Sequence, residues 1–318
     1  MKQIQSKIRN KLRSWGFYFD LGGPVPEQFV AGMGRSGTTW VSDLINYDNR
    51  YRVLFEPFFT PNVPEACDFP YIPYISPDTE NPILEKAARK LLSGSVKNQW
   101  IERDNHKIFY LKRMVKEVRA NLMLGWIKRL FPTMHIILVV RHPLAVLSSW
   151  QKRGWGNMPG TKTSDLDLIL GQSALLTDFP IIGQMKKKVD IGDYFQRLLF
   201  EWCIMYYVPF QQVESNQIHT IFYENLILNF EYEIHNLYGL LGVDPQKALK
   251  CIDPAKASST NFWERDFSSG KEFALTEWKA TFSSAQINKT AEMLTAFGLD
   301  ALYDQDGKPM LASPLLCK

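Results

Sequence analysis

The chain has 318 residues, 45% of them hydrophobic and 22% charged, with 19 Gly and 18 Pro. That composition excludes disorder and low-complexity structure, and the length can bury a sizeable core in one large domain or two small ones. A formal net charge of +4 is too mild for a nucleic-acid binder, though it fits an enzyme with a local basic pocket for an anionic ligand.

Residues 1–26 read as a basic amphipathic extension ahead of a domain at 27–318. Ile4, Ile8, Leu12 and Trp15 fall on one helical face, with Lys7, Arg9, Lys11 and Arg13 around them. Such a helix docks its apolar stripe on the body of the protein, the preferred reading, or lies on a membrane surface or a partner. It lacks the uninterrupted apolar core of a signal peptide, and no apolar run reaches the ~18–20 residues of a transmembrane helix. A cytoplasmic location is therefore expected. The four cysteines form no C-x-x-C pair and the five histidines share no ligand spacing, so neither a disulfide framework nor a metal site is expected.

Strand-like and helical segments then alternate. "QFVAGM" (28–33) reads as a strand, "GTTWVSDLINY" (37–47) as a helix and "YRVLFE" (51–56) as a short strand. Residues 57–82 form a Pro- and aromatic-rich loop. A helix covers 83–98, and "KIFYLKR" (107–113) reads as a buried strand. Val118, Leu122, Trp126 and Leu130 mark the stripe of the next helix. "HIILVV" (135–140) is the clearest strand, followed at once by "RHP" and the helix "LAVLSSWQKR". Residues 154–190 read as loop-rich, 192–214 as a long helix, "QIHTIFY" (217–223) as a last strand and 224–241 as another helix. The alternation predicts a single α/β domain, its parallel sheet covered by helices on both faces.

The chemistry concentrates at two strand ends. In "FVAGMGRSGTTW", Gly32 and Gly37 have the spacing of a nucleoside-triphosphate loop, but Thr38 stands where that loop carries its lysine. A strand, a glycine loop and a helix start aim several backbone N–H groups and a partial positive charge at one point. Gly32, Gly34 and Gly37 allow close backbone approach, Ser36, Thr38 and Thr39 add hydroxyls, and Arg35 adds a permanent charge. This is a phosphate site, but a poor one for a metal-bound triphosphate tail. The strand "HIILVV" also ends in Arg141, where a triphosphatase would present an acid for magnesium. Ser149, eight residues further on, falls about two helical turns away. An Arg and a hydroxyl suit a second phosphate group. The competing reading is an Arg–carboxylate pair at a turn, with Ser149 on a solvated face.

Phosphates at two separate places resemble the requirements of sulfotransferases that use 3′-phosphoadenosine 5′-phosphosulfate (PAPS). "GRSGTTW", Gly34 to Trp40, resembles their 5′-phosphosulfate loop, and "RHPLAVLSS" their 3′-phosphate motif with Arg141 and Ser149. The segment at 223–243 is similar to one that opens with an adenine-contacting tyrosine, here Tyr223. "KEFALTEWKATF" (271–282) resembles a late phosphate-binding segment, with Lys271 where a basic residue often meets the 3′-phosphate. Phe273 and Thr276 replace glycines of that segment. Arginine at position 35, where many cytosolic members have lysine, looks more like the bacterial and carbohydrate-directed branches.

The resemblance implies sulfuryl transfer from PAPS to a hydroxyl or amine of a small-molecule acceptor, releasing 3′,5′-ADP without a metal. It also implies a P-loop-type, sulfotransferase-like fold. Arg35 would stabilise the leaving oxygen. The acceptor's proton needs a base, and the region that carries a histidine in the cytosolic branch reads "YLKRMVKEV" here. Glu56, followed by Pro57, resembles a Glu-Pro segment of the bacterial and carbohydrate branches in which glutamate serves as base. Sheet geometry is expected to set it beside the glycine loop with an extended backbone; alternatively it is salt-bridged to an Arg. Glu117 and Asp43 are further candidates, Asp43 on the helix face away from the loop. His106 and His142 are expected to be structural. The acceptor walls are expected in 57–82 and 154–190, where Phe58, Phe59, Tyr71, Tyr74 and Trp155 either line the site or pack as core. A small-molecule kinase and a non-catalytic 3′,5′-ADP-binding module remain alternatives.

Overall fold

The computed structural model describes residues 18–214, 216–250 and 275–310. Five short apolar segments form the central sheet: β1 Gln28–Ala31, β2 Tyr51–Phe55, β3 Lys112–Glu117, β4 His135–Val140 and β5 Ile218–Phe222. Their spatial order is β2-β3-β1-β4-β5, and every pairing is parallel. Parallel strands need crossovers, and the helices that supply them cover both faces. Alternate residues of each strand therefore enter different cores. Phe29, Ala31, Leu54, Val115 and Leu138 face one, while Val30, Val53, Met114, Ile137 and Val139 face the other.

The helices are α1 Thr38–Ile45, α2 Pro82–Leu92, α3 Leu124–Leu130, α4 Pro143–Gln151, α5 Asp165–Leu170 and α6 Ser173–Asp178. They continue with α7 Pro180–Lys186, α8 Tyr194–Gln212, α9 Tyr223–Leu228, α10 Phe230–Leu241, α11 Pro245–Leu249 and α12 Ser284–Ala296. Trp126, Phe200, Trp202 and Tyr206 of α3 and α8 fill the first core; Trp40, Val41, Ile234 and Tyr238 of α1 and α10 fill the second. Local chemistry fixes several helix starts. Ser164 caps α5 by accepting from the Asp167 N–H at 3.0 Å, and Asp193 caps α8 by accepting from that of Gln196 at 2.8 Å.

Four segments differ from expectation. The sheet strand predicted at 107–113 lies at Lys112–Glu117, because Met114 and Val115 are the buried apolar pair. Phe109–Tyr110 instead forms a two-stranded ribbon with Phe19–Asp20, leaving Phe109 and Leu111 exposed. Val118 follows that strand, and the helix starts only at Leu124 after a 3-10 turn at Asn121–Met123. Residues 154–190 contain three short helices, α5 to α7. The helix at 224–241 breaks at Asn229, whose φ of −127° and ψ of 45° are not helical. Among the described residues, no helix is long and apolar enough to cross a membrane.

Candidate active site

The carboxyl ends of the parallel strands converge, with the chain leaving β1 on one side and β4 on the other. Open α/β sheets bind ligands at such a divide. The loop after β1 needs glycine at two places. A Cβ on Gly32 would lie 2.6 Å from the Val139 carbonyl oxygen and 2.7 Å from Ser36 Oγ. At Gly37 the φ is 100°, and a Cβ would lie 2.4 Å from the Tyr223 ring. Arg35 itself holds a left-handed φ of 71°, costly for a side chain with a Cβ and so fixed by its surroundings. Two buried rings provide that fixing. Tyr206 accepts from the Met33 N–H at 3.2 Å while donating to the Val139 carbonyl at 3.0 Å, and Trp150 Nε1 donates to the Gly34 carbonyl at 2.7 Å. Helix α1 then begins at Thr38 with no acidic residue in its first turn, so its N-terminal partial charge stays available to an anion.

Arg141, at the end of β4, folds back onto this loop. Its Nη1 donates to the Arg35 carbonyl at 3.0 Å, and its guanidinium lies 4.5 Å from the centre of the Tyr223 ring. Ser149 on α4 accepts from Arg35 Nε at 2.9 Å. Arg35, Arg141, Ser149 and Tyr223, drawn from four separate segments, thus form one network. Burial, then Arg153 and Arg141, pull the Arg35 guanidinium down to about 10, which leaves it charged at neutral pH. Arg141 Nε is buried with no hydrogen-bond partner among the described residues. Crowded cations and an open buried donor are what an anionic ligand would satisfy.

A cavity of about 470 Å³ opens beside this network, and Gly34, Thr38, Thr39 and Trp40 are on its wall with Arg35, Arg141 and Tyr223. Ser36 is not: it is wholly buried beneath the loop, its hydroxyl turned toward Gly32. Lys271 and the amphipathic face within residues 1–17 lie outside the described residues. Of the late segment, Trp278 stacks on His142 at 4.4 Å and Lys279 pairs with Asp306 at 2.9 Å. His142 is buried, and burial followed by the charges of Arg141 and Lys279 pushes its imidazole down to about 3, so it is neutral and held as packing.

Glu56 also reaches the cavity, though not as expected. Strand β3 separates its strand from β1, so it is not the loop's immediate neighbour. Nor is its backbone extended: φ is 43°, and its N–H donates to the Lys116 carbonyl at 2.7 Å. Two cations of the intervening strand end hold the side chain, Lys116 Nζ at 2.8 Å and Arg119 Nη1 at 2.7 Å. Burial raises its carboxyl, but those two charges outweigh burial and hold it below the ordinary range. Glu117 is buried and employed internally: it accepts from the N–H groups of Phe58, Val118 and Arg119. Asp43 is exposed on α1.

Phe58 and Tyr74 are core residues, whereas Phe59, Tyr71 and Trp155 are on the cavity wall. Sequence reasoning missed four residues here. Lys116 and Arg119 were hidden by the misplaced strand, whose true end at Glu117 sets both beside Glu56. Asp165 and Glu201 come from α5 and α8 and both line the cavity. Ser164-Asp165 carried a helix-start signal; nothing local marked Glu201, the one charged residue within the apolar run from Leu198 to Met205. Among the described residues, no cluster of three or more His, Cys, Asp or Glu side chains is placed to hold a metal ion.

Residues 26–175 match the model of the Sulfotransferase family. This stretch, just under half of the chain, is similar to that family. It spans the glycine loop, Glu56, the Lys116–Arg119 strand end, Arg141, Ser149 and Asp165. Among solved structures the chain is similar to the sulfotransferase domain from the Synechococcus PCC 7002 olefin synthase. Identity there is 15%, over 86% of this chain and 96% of that one, with a TM-score of 0.42. It is also similar to a sulfotransferase from Alicyclobacillus acidocaldarius, at 12% identity over 85% and 96%, TM-score 0.36. A third is mouse sulfotransferase SULT7A1 complexed with PAP, at 12% identity over 89% and 86%, TM-score 0.39. A search of curated proteins finds no match.

Proposed function

We propose that the protein transfers the sulfuryl group of PAPS to a hydroxyl, or an amine, of a small-molecule acceptor and releases 3′,5′-ADP. The observation that carries this is the joining of the glycine loop, Arg141, Ser149 and Tyr223 into one network at the wall of a cavity. The loop N–H groups, Thr38 and Thr39 would take the 5′ phosphosulfate. Arg141 and Ser149 would take the 3′-phosphate, and Tyr223 and Trp40 would flank the adenine. Residues 27–318 would make up this domain, with 1–26 as an extension, and Arg35 favours the bacterial and carbohydrate-type branch.

The acceptor oxygen forms its bond to sulfur as the bond from sulfur to the phosphate oxygen breaks, the two oxygens in line. Arg35, charged and fixed by Ser149, is proposed to stabilise the negative charge that builds on the leaving oxygen. Glu56 is proposed to take the acceptor's proton. Its low affinity for protons keeps it ionised and ready, and the acceptor hydroxyl becomes acidic only as its bond to sulfur forms.

Calorimetry with 3′,5′-ADP, 5′-AMP and ATP, with and without magnesium, tests the donor side. The reading expects 3′,5′-ADP to bind at least about 10-fold more tightly than 5′-AMP with no metal added, from charge-assisted bonds to the extra phosphate. Equal affinity for the two would sink it, and tighter magnesium-dependent ATP binding would favour a kinase. An acceptor screen with PAPS then separates an enzyme from a binding module.

A further inference from the structure

The cavity wall holds two carboxyl groups that the reaction above does not use. Asp165 and Glu201 are 7% and 1% exposed, and both line the cavity. Asp165 Oδ1 and Glu201 Oε2 are buried, yet neither has a hydrogen-bond partner among the described residues. Folded proteins seldom leave such oxygens open, because each costs free energy until a donor reaches it. Glu117 is the internal contrast. It is as deeply buried, but three backbone N–H groups satisfy it. The fold thus closes its structural carboxyl and leaves the cavity-facing two open.

The surrounding charges do not close the pair either. Arg119 is committed to Glu56 at 2.7 Å, and its guanidinium lies 4.1 Å from the Phe59 ring centre. Arg197 lies 5.3 Å from the Tyr194 ring centre, and its own Nε is buried without a partner. The cations that act on the pair are Arg119, for Asp165, and Arg197, for both, and Arg119 is shared with Glu56. Ile72, Trp155 and Met205 add apolar lining to the same cavity.

We infer that Asp165 and Glu201 anchor the acceptor by binding an ammonium group at its far end, while its apolar body lies along Ile72, Trp155 and Met205. The acceptor class is an amine that also carries the hydroxyl to be sulfated. This rests on the proposed sulfotransfer, which places the reacting hydroxyl near Arg35 and Glu56. An ammonium at the pair supplies the missing donors. Burial, opposed by Arg119 and Arg197, pushes the Asp165 carboxyl up to about 6; burial and then the Asp165 charge push Glu201 higher. Tyr71 and Tyr194 are the other titratable groups that sense the pair. The pair therefore retains a proton near neutrality, and the incoming ammonium displaces it.

Three matched probes share a phenol and differ only in the head: tyramine (ammonium), 4-ethylphenol (none) and 3-(4-hydroxyphenyl)propionate (carboxylate). Calorimetry of each, with and without saturating 3′,5′-ADP, in two buffers of different ionisation heat, measures affinity and proton release. Tyramine is expected to bind about 10-fold or more tightly than 4-ethylphenol, releasing protons, with the propionate weakest. Asp165→Asn and Glu201→Gln, each checked by thermal melting, are expected to abolish that order while 3′,5′-ADP affinity stays within about 2-fold. An unchanged tyramine preference in both variants, or none in the wild type, overturns the anchor. Failure of 3′,5′-ADP to bind would overturn the donor assignment instead, and the nucleotide-free arm still decides the anchor.

Discussion

At residue scale, Arg35 combines a left-handed backbone, a bond to Ser149 and two neighbouring guanidinium groups. So much constraint on one cation fits a group whose position matters more than its mere charge. On the proposed reading, Arg35→Ala lowers kcat about 10²-fold or more while weakening 3′,5′-ADP only moderately, since charge builds on the leaving oxygen in the transition state. Single-turnover kinetics with PAPS checks this, and near-native turnover would show that another cation serves. Glu56 presents a harder separation, because it also holds Lys116 and Arg119 together. Glu56→Gln leaves the buried Lys116 and the half-buried Arg119 facing an amide and is expected to cost about 3 kcal/mol of stability. The base role is therefore read from the pH–rate profile of the surviving folded enzyme. The acidic limb disappears if Glu56 is the base; if the limb stays, the proton goes elsewhere.

At the scale of elements, every proposed donor-side group among the described residues except Ser149 lies at or just beyond the carboxyl end of a parallel strand, and α5 and α8 add Asp165 and Glu201 to the cavity wall. That wall has a cost which depends on pH. The carboxyl of Asp165 is near 6 when folded against an ordinary 3.8, and that of Glu201 is also raised. Groups raised in this way contribute stability that is complete below their unfolded values and is lost as pH rises through the folded ones. The unliganded protein should accordingly gain from removing one acid at high pH. Glu201→Gln is expected to raise the melting temperature by about 2–4 °C at pH 8 and by much less at pH 5. An equal shift at both pH values would mean that the pair is ionised throughout.

At the scale of the whole molecule, a buried ion cluster sits at the other end of the sheet. Asp20 bonds Arg52 at 3.1 Å and Arg113 at 3.0 Å, and Arg52 also pairs with Glu102. Arg52 and Arg113 lie near the starts of β2 and β3, a strand's length from the cavity. This cluster ties the Phe19–Asp20 segment to the sheet without contributing to the site. Asp20→Asn is expected to cost about 3–5 kcal/mol in chemical denaturation, because two buried guanidinium groups lose their shared partner. The affinity of the folded protein for 3′,5′-ADP should be unchanged. A parallel loss of affinity would show that the two ends of the sheet are coupled.

Periodicity and residue spacing by themselves determined the alternation of strands and helices, the parallel sheet and the pairing of the glycine loop with Arg141 and Ser149, while Tyr223 entered only through the resemblance to a family. Those features are local: a buried strand, a loop and a helix start are written in consecutive residues, and two such units suffice to define a nucleotide-type site. Strand order is not local. Only the tertiary structure placed β3 between β1 and β2, which moved Glu56 away from the loop and set Lys116 and Arg119 against it. Likewise Ser36 has the right type and spacing, yet backbone turning at Gly32 and Gly37 directs its hydroxyl inward. Asp165 and Glu201 are 36 residues apart and carry no shared motif. Their meeting is decided by how α5 packs on α8, a contact between side chains that no single segment of sequence contains.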